Sequence, residues 1–262
     1  MIATALVKDV LWRAASLLQD TTPQYERNPE AELIDWFNDA QIAITKFLPA
    51  ACSRIDAIKL KANSTLQSIE SIAAADCKPG DGSTPTVPVI GNMMIDILCN
   101  MGTDGLTPGK SIRLTERNVL DSQSPLWHAN SGTAVSSWMF DPRFPRQFLI
   151  TPALTTAAWV RAGFTAQPLK IPNGGAPGAE IYAKTGSSTQ TITVSDEHVD
   201  DITNYLVARS NMRKTEWADA NKATVFSQMF LGSLNAKVMA ITGNNPNLTQ
   251  LPFAPEPIGR AK

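Results

Sequence analysis

The sequence is poor in the side chains that most often carry out chemistry. It has two histidines, His128 and His198, and three cysteines, Cys52, Cys77 and Cys99. The cysteines are odd in number and widely separated, and no C-x-x-C pair occurs, so the sequence predicts neither a disulfide framework nor a zinc site. We expect reduced thiols in a protein made in the cytosol.

The common nucleotide and hydrolase motifs are absent as well. Neither G-x-x-x-x-G-K-[ST] nor G-x-G-x-x-G occurs, and residues 129–135 (ANSGTAV) resemble the G-x-S-x-G of serine hydrolases only superficially. The acidic run 195–201 (SDEHVDD) spreads its carboxylates around a helix start, where they favour the positive end of the helix dipole. We interpret that run as a cap and place His198 at the surface. The sequence therefore predicts no catalytic residue, no metal site and no cofactor, and a protein that is not an enzyme.

Charge of either sign is also in short supply. The net charge is -1 with 18% charged residues, so there is no domain-wide basic excess to neutralise a nucleic-acid backbone, although a local patch could still touch one. The N-terminus lacks the basic and apolar regions of a signal peptide, and no stretch approaches the ~20 apolar residues of a membrane span. We expect a protein without an export signal and without a membrane partner.

Helical periodicity marks both ends of the chain. Apolar residues at helical spacing predict a helix over 3–20 and a second one that starts at Asn28-Pro29 and ends before Pro49. A third, long helix is predicted over 196–240. Its mixed apolar and charged face indicates contact with another protein surface.

Strand-like patterns fill the middle of the chain. Alternating or β-rich segments predict strands at 57–62, 133–141, 146–154, 157–171 and 189–195. Residues 91–105 predict instead a short helix closed by Gly102 and followed by a turn at Asp104-Gly105.

The predicted fold class is α+β, because helices flank a block of strands without βαβ alternation. Residues 1–54 and 196–240 form a helical bundle of two N-terminal helices and one long C-terminal helix. Residues 55–195 form an inserted β-rich domain, and the Pro-rich residues 241–262 form an extended tail.

The busiest stretch is 113–128 (RLTERNVLDSQSPLWH). We interpret it as a structural corner in which Trp127 is a buried anchor. Its indole N–H needs a partner, and His128, Arg117 and Asp141 are the candidates. Residues 140–150 (FDPRFPRQFLI), which contain Asp141 and Arg143, have a similar composition and the same structural interpretation.

The order of several segments resembles the head-to-tail adaptor proteins (tail tubular A or gatekeeper-like) of tailed, particularly short-tailed, bacteriophages. The segments that carry this resemblance are 9–20 (DVLWRAASLLQD), 32–51 (ELIDWFNDAQIAITKFLPAA), 100–105 (NMGTDG), 114–128 (LTERNVLDSQSPLWH), 140–154 (FDPRFPRQFLITPAL) and 159–168 (WVRAGFTAQP). The resemblance implies a structural virion protein that forms a ring of itself, a 12-mer, between the portal and the tail nozzle or next tail component. The genome passes through such a ring during ejection without specific binding.

The resemblance also implies roles for particular residues. The tail would dock on the portal, and the long helix would supply contacts between subunits. The portal-docking candidates are Leu251, Phe253, Ile258 and Arg260; the subunit-interface candidates are Arg209, Arg213, Glu216 and Trp217; and the structural candidates of the β domain are Trp127, His128, Asp141 and Arg143.

Two other functions stay open on the sequence. One is a different tail-completion or fibre-docking component of the virion. The other is a carbohydrate-binding module or hydrolase, because six tryptophans offer stacking surfaces.

Overall fold

A computed structural model describes residues 3–20, 22, 25–80, 85–173, 180–184, 186–213 and 218–243. The chain divides into two compact units. Pro49–Leu169 form one, which we call the β unit, and Met1–Leu48 with Lys170–Lys262 form the other, which we call the helical unit. The α+β class predicted from the sequence is confirmed.

The helical unit is built around one buried helix. Its helices are α1 (Val7–Leu17), α2 (Glu30–Phe47), α4 (Val199–Asn211) and α5 (Ala220–Gly243), while the short α3 (Arg117–Gln123) belongs to the β unit. Helix α4 packs against α1, α2 and α5.

Helix α4 lies at the centre of the unit and yet carries many polar residues. Several of them form hydrogen bonds within the helical unit. Ser210 Oγ donates to Asn28 Oδ1 at 2.9 Å, and Thr203 Oγ1 donates to the Val199 carbonyl at 2.8 Å. Buried polar groups cost little when they are hydrogen-bonded. The buried polar residues of α4 are therefore accommodated inside the helical unit, and the external contact predicted for its mixed face stays a prediction.

The single long helix predicted over 196–240 is wrong. The structure has a short 3-10 turn at Asp196–His198, then α4, and then a separate α5. Helix α5 starts at a capping side chain, since Asp219 Oδ1 accepts from the amides of Asn221 and Lys222 at 3.0 and 3.2 Å. An aspartate in this position satisfies free amides at a helix start.

The N-terminal helices lie where the periodicity places them. Helix α2 begins at Glu30, directly after Pro29, whose ring suits the start of a helix. Asn28 does not cap it: no capping side-chain hydrogen bond occurs, and the Asn28 amide oxygen instead accepts from Ser210.

Two sheets form the β unit. The five-stranded sheet has the order β3-β1-β11-β4-β5, the four-stranded sheet the order β2-β9-β8-β6, and β7 pairs with β10. The strands are β1 (Ser53–Leu60), β2 (Leu66–Ser68), β3 (Cys77–Pro79), β4 (Gly91–Met101), β5 (Pro108–Ser111), β6 (Arg113–Leu114), β7 (Ser131–Gly132), β8 (Ser137–Phe140), β9 (Gln147–Thr151), β10 (Ala153–Leu154) and β11 (Ala158–Ala166). The strands predicted near β1, β8, β9 and β11 are confirmed.

The core of the β unit lies between the two larger sheets. The five-stranded sheet contributes Ile97 and Phe164, and the four-stranded sheet contributes Trp138, Phe148 and Ile150; all five are at most 2% exposed. Side chains of alternate residues on β8, β9 and β11 reach this core, as the alternation in their sequences predicts.

The short helix predicted over 91–105 is also wrong, because these residues form β4. Register shifts against β11 interrupt β4 at three places, which leaves one extra residue at each. Each bulge moves the buried side by one residue. From Gly91 to Asn100 the residues buried in β4 therefore recur every third position, at Gly91, Met94, Ile97 and Asn100, and this spacing imitates a helix; the final residue, Met101, is buried as well.

Residues 189–195, predicted as a strand of the β domain, form no strand and belong to the helical unit. Thr191 makes one isolated bridge to Leu6, and the Thr193 amide donates to Gln41 Oε1 at 2.9 Å. The segment is extended, as the pattern predicts, but its hydrogen-bond partners are the N-terminus and α2. The boundary between the units lies at Leu169, whereas the sequence placed it at 195.

The turn predicted at Asp104-Gly105 is present. Gly105 has φ +68°, and Asp104 Oδ1 accepts from the Leu106 amide at 3.0 Å. The turn lies over Trp159, since a Cβ added at Gly105 would be 2.8 Å from the indole ring. Lys78 covers the same ring, with its Nζ 4.9 Å from the ring centroid.

Candidate docking surface

A groove of about 690 Å³ opens on the outer side of the four-stranded sheet. Most of its walls come from residues 113–128 and 140–150, the two segments that were interpreted from the sequence as structural corners. Its lining residues are Leu66, Arg117, Asn118, Asp121, Met139, Phe140, Asp141, Pro142, Arg143, Phe144, Gln147, Phe148 and Leu149. We refer to it as the β-unit groove.

Trp127 anchors the α3 wall of the groove. Its side chain is fully buried, and its indole N–H donates to Asp121 Oδ1 at 2.7 Å. Asp121 also lies 3.4 Å from Arg117 Nε, one helical turn away. The predicted anchor is in place, but its partner is Asp121, which is not among the three predicted candidates. His128 is exposed and stacks on the indole at a centroid distance of 3.6 Å.

The opposite wall is a fork-shaped ion pair between Asp141 and Arg143. Arg143 Nη2 donates to Asp141 Oδ2 at 2.7 Å, and Arg143 Nε donates to Asp141 Oδ1 at 3.0 Å. The side-chain hydrogen bonds of Arg143 lower the pKa of Asp141 below its ordinary value. The pair therefore stays charged at neutral pH and fixes the turn in front of β9.

The floor of the groove is apolar and partly open to solvent. Leu66 on β2 is 49% exposed and Phe144 is 57% exposed, while Leu149 on β9 lies between burial and exposure. A concave apolar floor with paired charges at its rim is typical of a surface that binds another protein. The sequence did not single out Leu66, because its exposure depends on its place at the edge strand of the sheet.

The predicted subunit-interface residues differ in their surroundings. Arg209 is exposed, and its Nη2 donates to Tyr205 Oη at 2.8 Å. Arg213 contacts α2, with its Nη1 2.6 Å from Glu32 Oε2 and its guanidinium 5.7 Å from the Trp36 ring. Glu216 and Trp217 lie outside the described residues, as do the predicted portal-docking residues Leu251, Phe253, Ile258 and Arg260.

The acidic run at the start of α4 holds the helical unit together. Asp196 accepts from the amides of Thr4 and Ala5 at 2.9 and 3.0 Å, and so fixes the chain in front of α1. Asp200 pairs with Arg13 at 2.9 Å. The run was interpreted as a helix cap, but no capping side-chain hydrogen bond is made at the start of the 3-10 turn or of α4. Asp196 and Asp200 instead bind the N-terminal segment and α1.

His198 is fully buried, so its predicted surface position is wrong. Its Nδ1 lies 2.8 Å from Asp201 Oδ2, and Lys237 Nζ on α5 donates to the same oxygen at 2.6 Å. Burial by itself would raise the pKa of Asp201, but hydrogen bonds from His198, Lys237 and Ser233 outweigh it and lower that pKa. This cluster joins α5 to α4 through a buried carboxylate.

Two of the three thiols, those of Cys52 and Cys77, are poor nucleophiles. Burial raises the pKa of Cys52 to about 11, and burial together with the nearby Asp56 carboxylate raises that of Cys77 to about 12. Both are therefore protonated at neutral pH, whereas the thiolate is the reactive form. Among the described residues, no group of three or more His, Cys, Asp or Glu side chains is arranged to hold a metal ion.

None of the helices within the described ranges combines the length and the apolar composition that a bilayer span requires.

Comparison with known proteins gives one finding on family. A family model described as SU10 adaptor protein matches residues 5–250, and no curated protein matches the chain. The matched range contains the whole β unit, most of the helical unit and every segment on which the sequence resemblance to phage adaptors rests.

Proposed function

The chain belongs to the SU10 adaptor protein family, and we propose that this phage adaptor-type protein forms a ring between the portal and the tail of the virion. The genome would pass through the ring during ejection. Adaptor membership over nearly the whole chain is the observation that carries this proposal, and the resemblance of the sequence to head-to-tail adaptors supports it.

The proposed role is structural and not enzymatic. The thiols of Cys52 and Cys77 are protonated, His128 stacks on a tryptophan, and His198 belongs to a buried cluster with Asp201 and Lys237. The carboxylates at the start of α4 are occupied by partners of the same chain. Each of these groups has a contact inside its own unit that accounts for its position, and the protonated form of the two thiols is the unreactive one.

The β-unit groove is the surface that we propose binds the next tail component. An apolar side chain of the partner can be buried against Leu66 and Phe144 on the floor of the groove. The Asp141–Arg143 ion pair borders this floor. The Pro-rich C-terminus, with Leu251, Phe253, Ile258 and Arg260, is proposed to dock on the portal. Proline fixes the φ angle of the backbone, so a Pro-rich segment loses less entropy when it docks.

Electron microscopy and native mass spectrometry of the full-length chain, alone and with the portal protein, test the ring. We expect a closed ring of identical copies in at least one of the two conditions, and the chain among the proteins of purified particles. A chain that stays monomeric with the portal present and is missing from particles would overturn the proposal.

The groove is tested separately by Phe144→Asp. We expect the ring to form and to bind the portal, while particles lack the next tail component. Val119→Asp places the same charge on an exposed residue of α3 that does not line the groove, and it should leave tail attachment unchanged.

A further inference from the structure

Helix α5 presents an apolar stripe to solvent. Val225, Met229, Gly232 and Ala236 follow one another at intervals of four and three residues and therefore lie along one side of the helix. Val225 is 52% and Met229 50% exposed. A Cβ added at Gly232 would meet no atom within 4 Å, so the middle of the stripe is open.

The other side of α5 already has its partner. Ala223, Phe230 and Leu234 are buried, and α4 is the helix against which α5 packs most extensively. Only two residues of α5 are charged, Lys222 and Lys237, and Lys237 is held inward by Asp201. Lys222 is therefore the one charge left on the solvent side of α5 as the structure describes it.

A surface helix normally carries a polar and charged outer face. On α5 a stripe of the outer face is instead apolar from Val225 to Ala236, a length of about 17 Å, with the exposed Gln228 and Asn235 beside it. Its small residues, Gly232 and Ala236, allow another helix to come close. An apolar helix side of this kind fits a second helix better than it fits water.

The outward side of α2 has the chemistry that matches this stripe. Asp35 and Asp39 are exposed there, and Ile42 follows Asp35 by seven residues. On α5, Met229 follows Lys222 by the same seven residues. In a parallel packing of the two helices, Lys222 would therefore meet Asp35 with Asp39 beside it, and Met229 would meet Ile42.

The next residue along the outer side of α2 also fits. Lys46 lies one turn beyond Ile42 and is exposed. In the same register it comes within one residue of Gly232, where the stripe has no side chain. The aliphatic stem of Lys46 can cross this gap while its ammonium group reaches water.

We infer that the outward stripe of α5 in one copy packs in parallel on the outward side of α2 in the neighbouring copy. The inference rests on the proposed ring and names the contact that closes it. Each copy carries both surfaces and uses one on each side, which is the head-to-tail contact that a closed ring requires.

Met229→Glu in the full-length chain tests the stripe, with ring formation measured by native mass spectrometry alone and with the portal protein. We expect the concentration needed for half-assembly to rise at least tenfold, because a charge would be buried at the contact. Asn235→Glu puts the same charge on an exposed residue about a third of a turn away, and it should assemble like the parent. Matching thermal unfolding of the variants shows that their folds are intact.

A charge exchange tests the partner. Lys222→Glu and Asp35→Lys are each expected to weaken assembly several-fold, and the double variant to recover most of that loss, because both charges meet across every contact of the ring. Intact rings in Met229→Glu, or weakened single variants without recovery in the double variant, would overturn this contact and leave the proposed ring standing. A parent chain that forms no ring under either condition would instead overturn the proposed function.

Discussion

Trp127 is held by two different kinds of interaction within the β unit. Its ring is fully buried, its N–H is bonded to Asp121, and the exposed His128 ring lies against it. The packing and the buried hydrogen bond both depend on Trp127, whereas His128 contributes one contact at the surface. The two neighbours should therefore differ widely in their effect on stability.

Trp127→Ala is expected to lower the free energy of unfolding by about 3 to 5 kcal/mol, because it leaves a large cavity in the β unit. His128→Ala should change it by less than about 0.5 kcal/mol, as substitutions at exposed positions generally do. Urea unfolding followed by tryptophan fluorescence and circular dichroism measures both. Equal losses in the two variants would contradict the anchoring role of Trp127.

A side chain at position 105 is disfavoured both by the backbone conformation and by the contact with Trp159. The φ of +68° at Gly105 is unfavourable for other residues, and an added Cβ would be 2.8 Å from the Trp159 ring. Gly105→Ala is expected to destabilise the protein by about 2 kcal/mol. Thermal unfolding measures this loss.

Gly232→Ala is the matched control, since Gly232 lies inside α5 with open space around it. Alanine favours a helix over glycine by about 0.8 to 1 kcal/mol, so this variant should be slightly more stable than the parent. A loss of stability at Gly232 similar to that at Gly105 would show that the φ angle and the Trp159 contact are not the cause.

Asp201 makes stability depend on pH. Because its pKa is lowered in the folded state, its contribution is complete above the unfolded-state pKa near 3.9 and is lost as the pH falls through the folded-state value. Asp201→Asn should cost about 2 kcal/mol at pH 7, and its difference from the parent should shrink below pH ~4.

Asp200→Asn is the control for this prediction. Asp200 also pairs with a cation, Arg13, but its own side chain is 84% exposed. Surface pairs of this kind contribute little, so we expect no measurable change at either pH. Chemical unfolding curves at pH 7 and pH 3 compare the three proteins. A difference between Asp201→Asn and the parent that is as large at pH 3 as at pH 7 would contradict the assignment.

At the scale of elements, a pattern in the sequence is reliable where the backbone is regular. Strands β8, β9 and β11 were predicted because their sequences alternate or are rich in β-forming residues, and α1 and α2 because their apolar residues repeat at helical spacing. The order of helices around a β block follows from these patterns alone, and so does the α+β class.

The errors arise where backbone irregularity changes the spacing. Three bulges give β4 a period of three, which no alternation rule detects. The break between α4 and α5 has no proline or glycine between Asn211 and Ala220, and its one local signal is the cap at Asp219. A capping aspartate within a polar run is a weak marker, since solvent-exposed helix faces contain the same residue type.

Side-chain partners within the candidate docking surface were harder to predict than its location. Both groove-lining segments stood out in the sequence, but the partner of Trp127 is Asp121, which became available only because α3 turns it toward the indole. His198 was misplaced for a related reason. Its burial depends on Lys237, 39 residues further along the chain, and local periodicity contains no information on such a contact.

At the scale of the whole molecule, the β unit is one continuous stretch of chain with its own core. It runs from Pro49 to Leu169, and its buried cluster lies between its own two sheets. A unit of this size with a single core can fold by itself. We therefore expect a fragment of residues 49–169 to be folded.

Circular dichroism and a two-dimensional amide NMR spectrum of that fragment measure the outcome. We expect cooperative thermal unfolding and well-dispersed β-sheet signals, and loss of both in the same fragment with Trp138→Ala, which removes a 1% exposed core residue. A parent fragment without cooperative unfolding would show that the β unit depends on the helical residues.

The pairing of β1 with β11 has a consequence for how such a protein can be rebuilt. Ser53 lies opposite Thr165, so the incoming and outgoing chains run side by side where the β unit begins and ends. If the β unit is removed, a linker of a few glycines and serines can join Leu48 to Lys170, at a small cost in closure entropy. The β unit could therefore be removed, or replaced by another domain whose two ends lie equally close together.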